Sequence, residues 1–391
     1  MGSRRKSKPW TLVGAARAAR EARIATAEYL RYARVARPWE MGRLLSAFQL
    51  HAAHLGDEQA ALMMLFTGMG YRPPFPTDWQ QATDLVLTDE ARYLDEAELY
   101  ILSPQMCDVA LAATATLTAQ DLQLLDVDDL PSPRGLVVLP YPVITTSING
   151  DPSDLRAFTW RSPATILDPS PKFRWTKELP AVRMSSYHDT HGPVRPDSFL
   201  DFAARARAER TPLPPLLLDA VRLFPFRYVD GAPEALGQFA ATARRIGEAT
   251  RHLSRESGIE EERVVGEYTP GSQIRDQDDL FAIRFLYAFW RLCDQRLATL
   301  EAAEVNHSAR VVAQRAGISP DVRVVQLHQT TSRSGGEPSR DWQHRWVVRM
   351  HKVRQWYPSL GQHKVIYRGP YIKGPDGKPF LGGETVRGLT R

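Results

Sequence analysis

The residues best suited to chemistry crowd into one stretch near the carboxyl end. Between Trp342 and Lys373, the cations Arg345, Arg349, Lys352, Arg354, Lys364, Arg368 and Lys373 are interleaved with the rings of Trp356, Tyr357 and Tyr367. Arginine and lysine neutralise phosphates and release condensed counterions. Rings beside them offer stacking surfaces for bases. Cations mixed with aromatics on a small sheet are a general means of touching single-stranded or structured RNA. DNA or RNA is therefore the expected partner, and binding through this tail the expected activity.

The same stretch holds His344, His351 and His363. Metal-independent cleavage of RNA needs a base, an acid and a cation at the scissile phosphate. His351, His363, Arg349 and Tyr357 are suitable types, so a nuclease is the first alternative. Read as one strand, residues 345–354 alternate faces. Arg345, Val347, Arg349, His351 and Val353 then share one face, and Trp346, Val348, Met350, Lys352 and Arg354 the other. His363, Val365 and Tyr367 share a face of the next strand, from which His363 could join His351 and Arg349. The bland reading is a sheet edge kept soluble by charge.

Other constellations are weaker. His51 and His54 lie on one expected helix near Asp57 and Glu58, and His188 and His191 flank a strand end. Neither pair has the His-Glu-x-x-His spacing of a zinc site, and both read as structural. Residues 308–322 resemble the middle of a helix-turn-helix, but the β-branched run from Val322 reads as a strand where the recognition helix should be. The chain has no phosphate-binding Walker loop, no dinucleotide fingerprint after a strand and no nucleophile elbow. No cofactor and no metal is expected.

Charge is unevenly spread over the 391 residues, whose formal net charge is +5. Residues 57–155 carry sixteen acids against three bases, Arg72, Arg92 and Arg134. Residues 333–391 carry twelve bases against four acids. The first forty residues are basic too, with Arg17, Arg20, Arg23 and Arg31 among them. Basic ends suit polyanions. The acidic stretch could instead dock on a basic end, which makes a protein-interaction module the second alternative, with an acidic protein as partner. Two cysteines, Cys107 and Cys293, exclude a disulfide scaffold and read as small buried hydrophobes. Arginines lace the segment after the basic start, so no secretory signal is expected. No apolar run approaches the ~18 residues of a membrane-spanning helix. A cytoplasmic protein without a membrane partner is the expectation.

These residues need elements to position them. Apolar periodicity predicts helices over 11–37, 41–55, 57–66, 90–100, 103–113, 198–209, 233–257 and 278–300. Residues 135–144, 155–160, 181–188, 322–328, 345–354 and 364–367 read as strands. The class is α+β, in four blocks: a helical region over 1–130, acidic after 57; a β-rich middle over 131–230; a helical core block over 231–317; and a basic antiparallel β module over 318–391.

The tail resembles that of an uncharacterised protein family of actinobacterial plasmids, phages and other mobile elements. The likeness rests on Trp346, Val347, His351, Gln355, Tyr357, Pro358, Ser359, Arg368, Tyr371, Lys373, Gly374 and Pro375. Residues 96–100 and 130–135 are similar to such proteins as well. Lys352 departs from the pattern, where relatives often carry tryptophan. The resemblance implies a mobile-element role and no particular activity.

Overall fold

The apolar run of residues 99–102 and, on a neighbouring strand, Val322, Val324 and Val325 are buried and form the centre of the protein. A strand covered on both faces reads as a continuous apolar run. The computed structural model describes residues 9–32, 52–53, 56–72, 74–118, 121–146, 152–167, 178–210, 213–226, 264–265, 273–276, 280–295, 298–327, 343–348, 351–357, 362–368, 371–375 and 378–381.

The chain begins with α1 (Leu12–Tyr32), α2 (Glu58–Gly68), α3 (Trp79–Glu96), β1 (Glu98–Leu102) and α4 (Pro104–Thr114). Next come β2 (Arg134–Thr146), β3 (Pro152–Leu167), β4 (Glu178–Asp189), β5 (Arg195–Pro196), α5 (Asp197–Ala208) and β6 (Leu216–Pro225). Then follow β7 (Val264–Val265), β8 (Ile274–Arg275), α6 (Phe281–Cys293), β9 (Ala298–Ala302), α7 (His307–Ala316) and β10 (Val322–Leu327). The tail contributes β11 (Arg345–Val348), β12 (His351–Tyr357), β13 (Gln362–Arg368), β14 (Tyr371–Lys373) and β15 (Phe380–Leu381).

The main sheet has the order β6-β4-β3-β2-β1-β10-β9, with β8 paired to the far end of β2. β1 lies parallel to both neighbours, Leu99 opposite Leu136 on β2 and Val322 on β10. The outer pairings are antiparallel. The chain is of the α+β class, with a mixed sheet.

Both faces of the sheet are covered. On one, Tyr100, Leu102, Val137, Phe158 and Trp160 pack against α4 and α6. Trp160 has Tyr100, Phe289 and Trp290 within 5.3–5.8 Å between ring centroids, and its indole N–H donates to Ser132 O at 2.9 Å. On the other face, Leu99, Ile101, Leu136, Val138 and Tyr187 pack against α1, α3 and α5. Full burial of each large aliphatic side chain contributes about 1.5–3 kcal/mol. The small residues Ala16, Ala19 and Ala22 bring α1 close to the sheet.

Sequence patterning placed a helix over 90–100, but the helix is α3, started by the Asp78 cap and ended before Ala97. Residues 98–102 form a strand instead, because an apolar run buried on both sides lacks the alternation that marks a strand. The helix expected over 278–300 stops at Cys293, with Asp294 as its C-cap. Leu300 belongs to the antiparallel edge strand β9. β6 follows directly on Pro214 and Pro215 and was not expected. The one sheet takes β1 from residues 1–130, β2, β3, β4 and β6 from 131–230, β8 and β9 from 231–317, and β10 from 318–391. Strand pairing between distant segments, invisible to local composition, joins them. The expected helices over 41–55 and 233–257, His51 and His54 lie outside the described residues. No helix of the described residues is long and apolar enough to cross a membrane.

Candidate functional site

Of the strand expected over 345–354, residues 345–348 and 351–354 are strand, and residues 349–350 lie outside the described residues. β11 pairs antiparallel with β14 and parallel with β15, and β12 pairs antiparallel with β13; the β11–β14 and β12–β13 ladders share one register, Val348↔Tyr371 leading on to His351↔Arg368. Arg349 lies outside the described residues. Arg345 is half-buried and structural: its Nε donates to Lys378 O at 3.0 Å and its amide to Pro379 O at 2.9 Å. Lys373, exposed at the end of β14, is paired in register with Trp346. Gly374 follows at φ +116°, and a Cβ there would stand 2.5 Å from His344 O, so only glycine fits the turn.

The hairpin ladder fixes how the other candidates are grouped. Its register is His351↔Arg368, Lys352↔Tyr367, Val353↔Ile366, Arg354↔Val365, Gln355↔Lys364, Trp356↔His363 and Tyr357↔Gln362. Residues two apart share a face of a strand, as do direct cross-strand partners. Lys352, Arg354, Trp356, His363 and Tyr367 therefore occupy one face. His351, Tyr357, Lys364 and Arg368 occupy the other. His351 and His363 are on opposite faces. They are also at opposite ends of the ladder, about 17 Å apart along it at the usual strand rise. The register does not bring them together as the acid and base of one cleavage site.

Charges elsewhere are largely engaged within the fold. Arg20 Nε donates to Pro320 O at 2.6 Å, and Arg23 NH1 to Ala97 O at 3.0 Å, tying α1 to the chain around β1 and β10. Burial pushes the Arg23 guanidinium down to about 10, against the pull of Asp95. Arg31 pairs with Asp95, Arg134 with Glu96, Arg323 with Glu98 and Arg291 with Asp129. Asp57 and Asp78 cap helices. The acidic stretch is thus committed in large part to its own body.

A second polar locus crosses the sheet at a line of bulges. β2 and β3 are paired up to Val138↔Ala157 and resume at Val143↔Leu155, so residues 139–142 oppose the single Arg156. Pro140 and Pro142 carry no N–H for the ladder, which favours the break. Between β3 and β4, Arg156 is the extra residue; between β4 and β6 it is Asp219. Bulges re-aim side chains and gather next to functional sites. Here they set aside Tyr141, Arg156 and Asp219.

Each of these finds polar company. The Tyr141 hydroxyl donates to Asp108 on α4. His188 Nε2 lies 2.8 Å from Asp219 Oδ1; its Nδ1 lies 3.2 Å from Ser153 Oγ and 3.5 Å from Asp154 Oδ1. Ser186 Oγ donates to Asp219 Oδ2 at 2.8 Å, and the Val194 amide donates to Asp154 Oδ2 at 3.0 Å. A side chain at Gly192 would overlap the Asp154 carboxylate, so glycine is what lets the two approach. Arg156 Nε is 3.6 Å from Asp189 Oδ2.

Burial dominates the electrostatics of this locus. It raises the Asp108 carboxyl, opposed by the Tyr141 hydroxyl, and raises that of Asp154, opposed by His188. It lowers the Arg156 guanidinium, opposed by Asp189. The buried Cys107 thiol is pushed up to about 12 and is unreactive at neutral pH. Ser153, His188 and Asp219 stand in the order of a nucleophile, base and orienter, but Asp154 shares the ring nitrogen that Ser153 approaches. The cluster therefore acts as a lock between β3, β4 and β6. The His191 amide donates to Asp189 Oδ1 at 2.9 Å. Among the described residues, no group of three or more His, Cys, Asp or Glu side chains is placed to hold a metal ion.

Sequence reasoning passed over Arg156, Asp219 and Tyr141. The signal available was Pro140-Tyr141-Pro142 inside an otherwise apolar strand. No family model, curated protein or solved structure matches the chain.

Proposed function

We propose that the protein binds nucleic acid through the β12–β13 hairpin, as an accessory or regulatory protein of a mobile element. One observation carries the reading: the ladder groups Lys352, Arg354, Trp356, His363 and Tyr367 on one face of a two-stranded ribbon. A ribbon of this kind is narrow enough to enter a major groove, and its cations and rings also suit a single strand. Among the described residues, the hairpin pairs with no strand of the main sheet. Support also comes from elimination: Arg20, Arg23 and Arg31 of the other basic segment serve the fold. The mobile-element context rests on the resemblance carried by the tail, which includes His351, Gln355, Tyr357 and Arg368.

The test is salt-titrated binding of the full chain to labelled duplex DNA, single-stranded DNA and RNA. Each duplex phosphate contact contributes about 0.9 to the slope of log affinity against log salt, and each single-strand contact about 0.7. Replacing Lys352 and Arg354 together by alanine is expected to lower the slope by about 1.4–1.8. Trp356→Ala is expected to weaken single-strand binding by about 1–3 kcal/mol with little change in slope. An unchanged slope in the double variant would contradict the assignment.

A further inference from the structure

A cavity of about 620 Å³ opens at the carboxyl end of β1 and beside the middle of β2, where its ladder to β3 breaks, beneath the first turns of α1. Its volume is in the ordinary range for small-molecule sites. In open sheets, the crevice outside the carboxyl ends of parallel strands is a recurrent place for ligands. The wall from α1 has the small residues Gly14, Ala15 and Ala18, with Arg17 beside them, its largely exposed guanidinium paired with Glu21; Ile101 and Leu139 come from the sheet. A flat hydrocarbon body could lie between these two surfaces.

The polar end of the cavity is Arg156 with Asp189. Arg156 is the residue set aside by the β3 bulge, so the break in the ladder supplies the guanidinium to this space. Its side chain is only 26% exposed, and its Nε stands 3.6 Å from Asp189, beyond hydrogen-bond reach. Among the described residues, the guanidinium makes no hydrogen bond. A largely buried guanidinium with a fork of unused donors matches the two oxygens of a carboxylate. Trp10, also in the lining, has an indole N–H that is buried and, among the described residues, has no hydrogen-bond partner. Asp189 sets the charge limit. Its carboxylate beside Arg156 disfavours a dianion, such as a phosphate monoester, and tolerates a single negative charge.

We propose that this cavity is a binding site for a small monocarboxylate with a flat apolar or aromatic body, its carboxylate held by the Arg156 fork. The site is separate from the β12–β13 hairpin and stands or falls independently of nucleic-acid binding.

The probe is naphthalene-2-carboxylate, titrated calorimetrically into the full chain, with 2-naphthyl phosphate and 2-naphthalenemethanol as comparisons. The carboxylate is expected to bind at least tenfold more tightly than either. Arg156→Met is expected to weaken it at least tenfold, as loss of a charge-assisted bond does. Ala18→Phe keeps Arg156 but fills the exposed part of the wall, and is expected to weaken it to a similar degree. This second variant decides the matter if Arg156→Met does not fold. No binding of the carboxylate at millimolar concentration overturns the proposal. So does equal binding by a folded Arg156→Met, equal binding by Ala18→Phe, or a preference for the phosphate or the alcohol.

Discussion

Glu90 is fully buried on α3, and the fold provides for its charge with named partners. Arg183 of β4, itself 6% exposed, pairs with it, and the Tyr187 hydroxyl donates to its second oxygen at 3.0 Å. Burial alone would lower the Arg183 guanidinium; Glu90 and then Tyr71 more than offset this. Replacing one member of such a pair leaves the other charge uncompensated, at a cost of about 3–5 kcal/mol. Glu90→Ala is accordingly expected to lose about that much stability in urea unfolding, and a loss below ~1 kcal/mol would show that the pair is not what joins α3 to β4. Asp108 behaves in the opposite sense. Its carboxyl is raised by burial, so at neutral pH the folded state bears the cost of a buried charge. As pH falls through the raised value towards the ordinary 3.8, the folded state takes up its proton first and this cost disappears. Asp108→Asn should therefore be the more stable protein at pH 7, and its advantage should shrink on acidification. Urea midpoints of both proteins across pH 7 to 4 measure this directly.

Elements were legible in proportion to how local their causes are. The start of α4 has a local cause: the Ser103 hydroxyl accepts the Met106 amide at 3.2 Å, with Pro104 at the first helical position. Ser103→Ala is expected to cost about 1 kcal/mol, read from the unfolding midpoint. β2, β3, β4 and β10 were readable from β-branched runs between turn residues, and Gly317, the αL cap of α7, leads to buried strand β10 rather than a recognition helix. β1 was not readable, because neighbours on both faces removed its alternation. β9 was hidden by Leu297 and Leu300, which happen to continue the spacing of α6. The bulges were the least legible feature. Arg156 and Asp219 are set aside by register between strands, and register is a property of pairs that a single segment does not carry. In the tail, the cations and rings were visible in the sequence, whereas the cross-strand register that groups them by face was not.

At the scale of the molecule, one sheet ties together segments that composition alone would separate, and the charge asymmetry largely resolves into internal pairs. Arg31, Arg134, Arg291 and Arg323 meet the acids of the 57–155 stretch within the same body. The proposed nucleic-acid contact depends on the β12–β13 hairpin. The most direct test is hydrogen exchange across the full chain, with and without a saturating single-stranded RNA or duplex DNA. The account predicts added protection in peptides covering residues 351–368 and unchanged exchange over residues 12–32 and 98–102. Protection confined to the main sheet or to α1, with the hairpin unaffected at saturation, would contradict it.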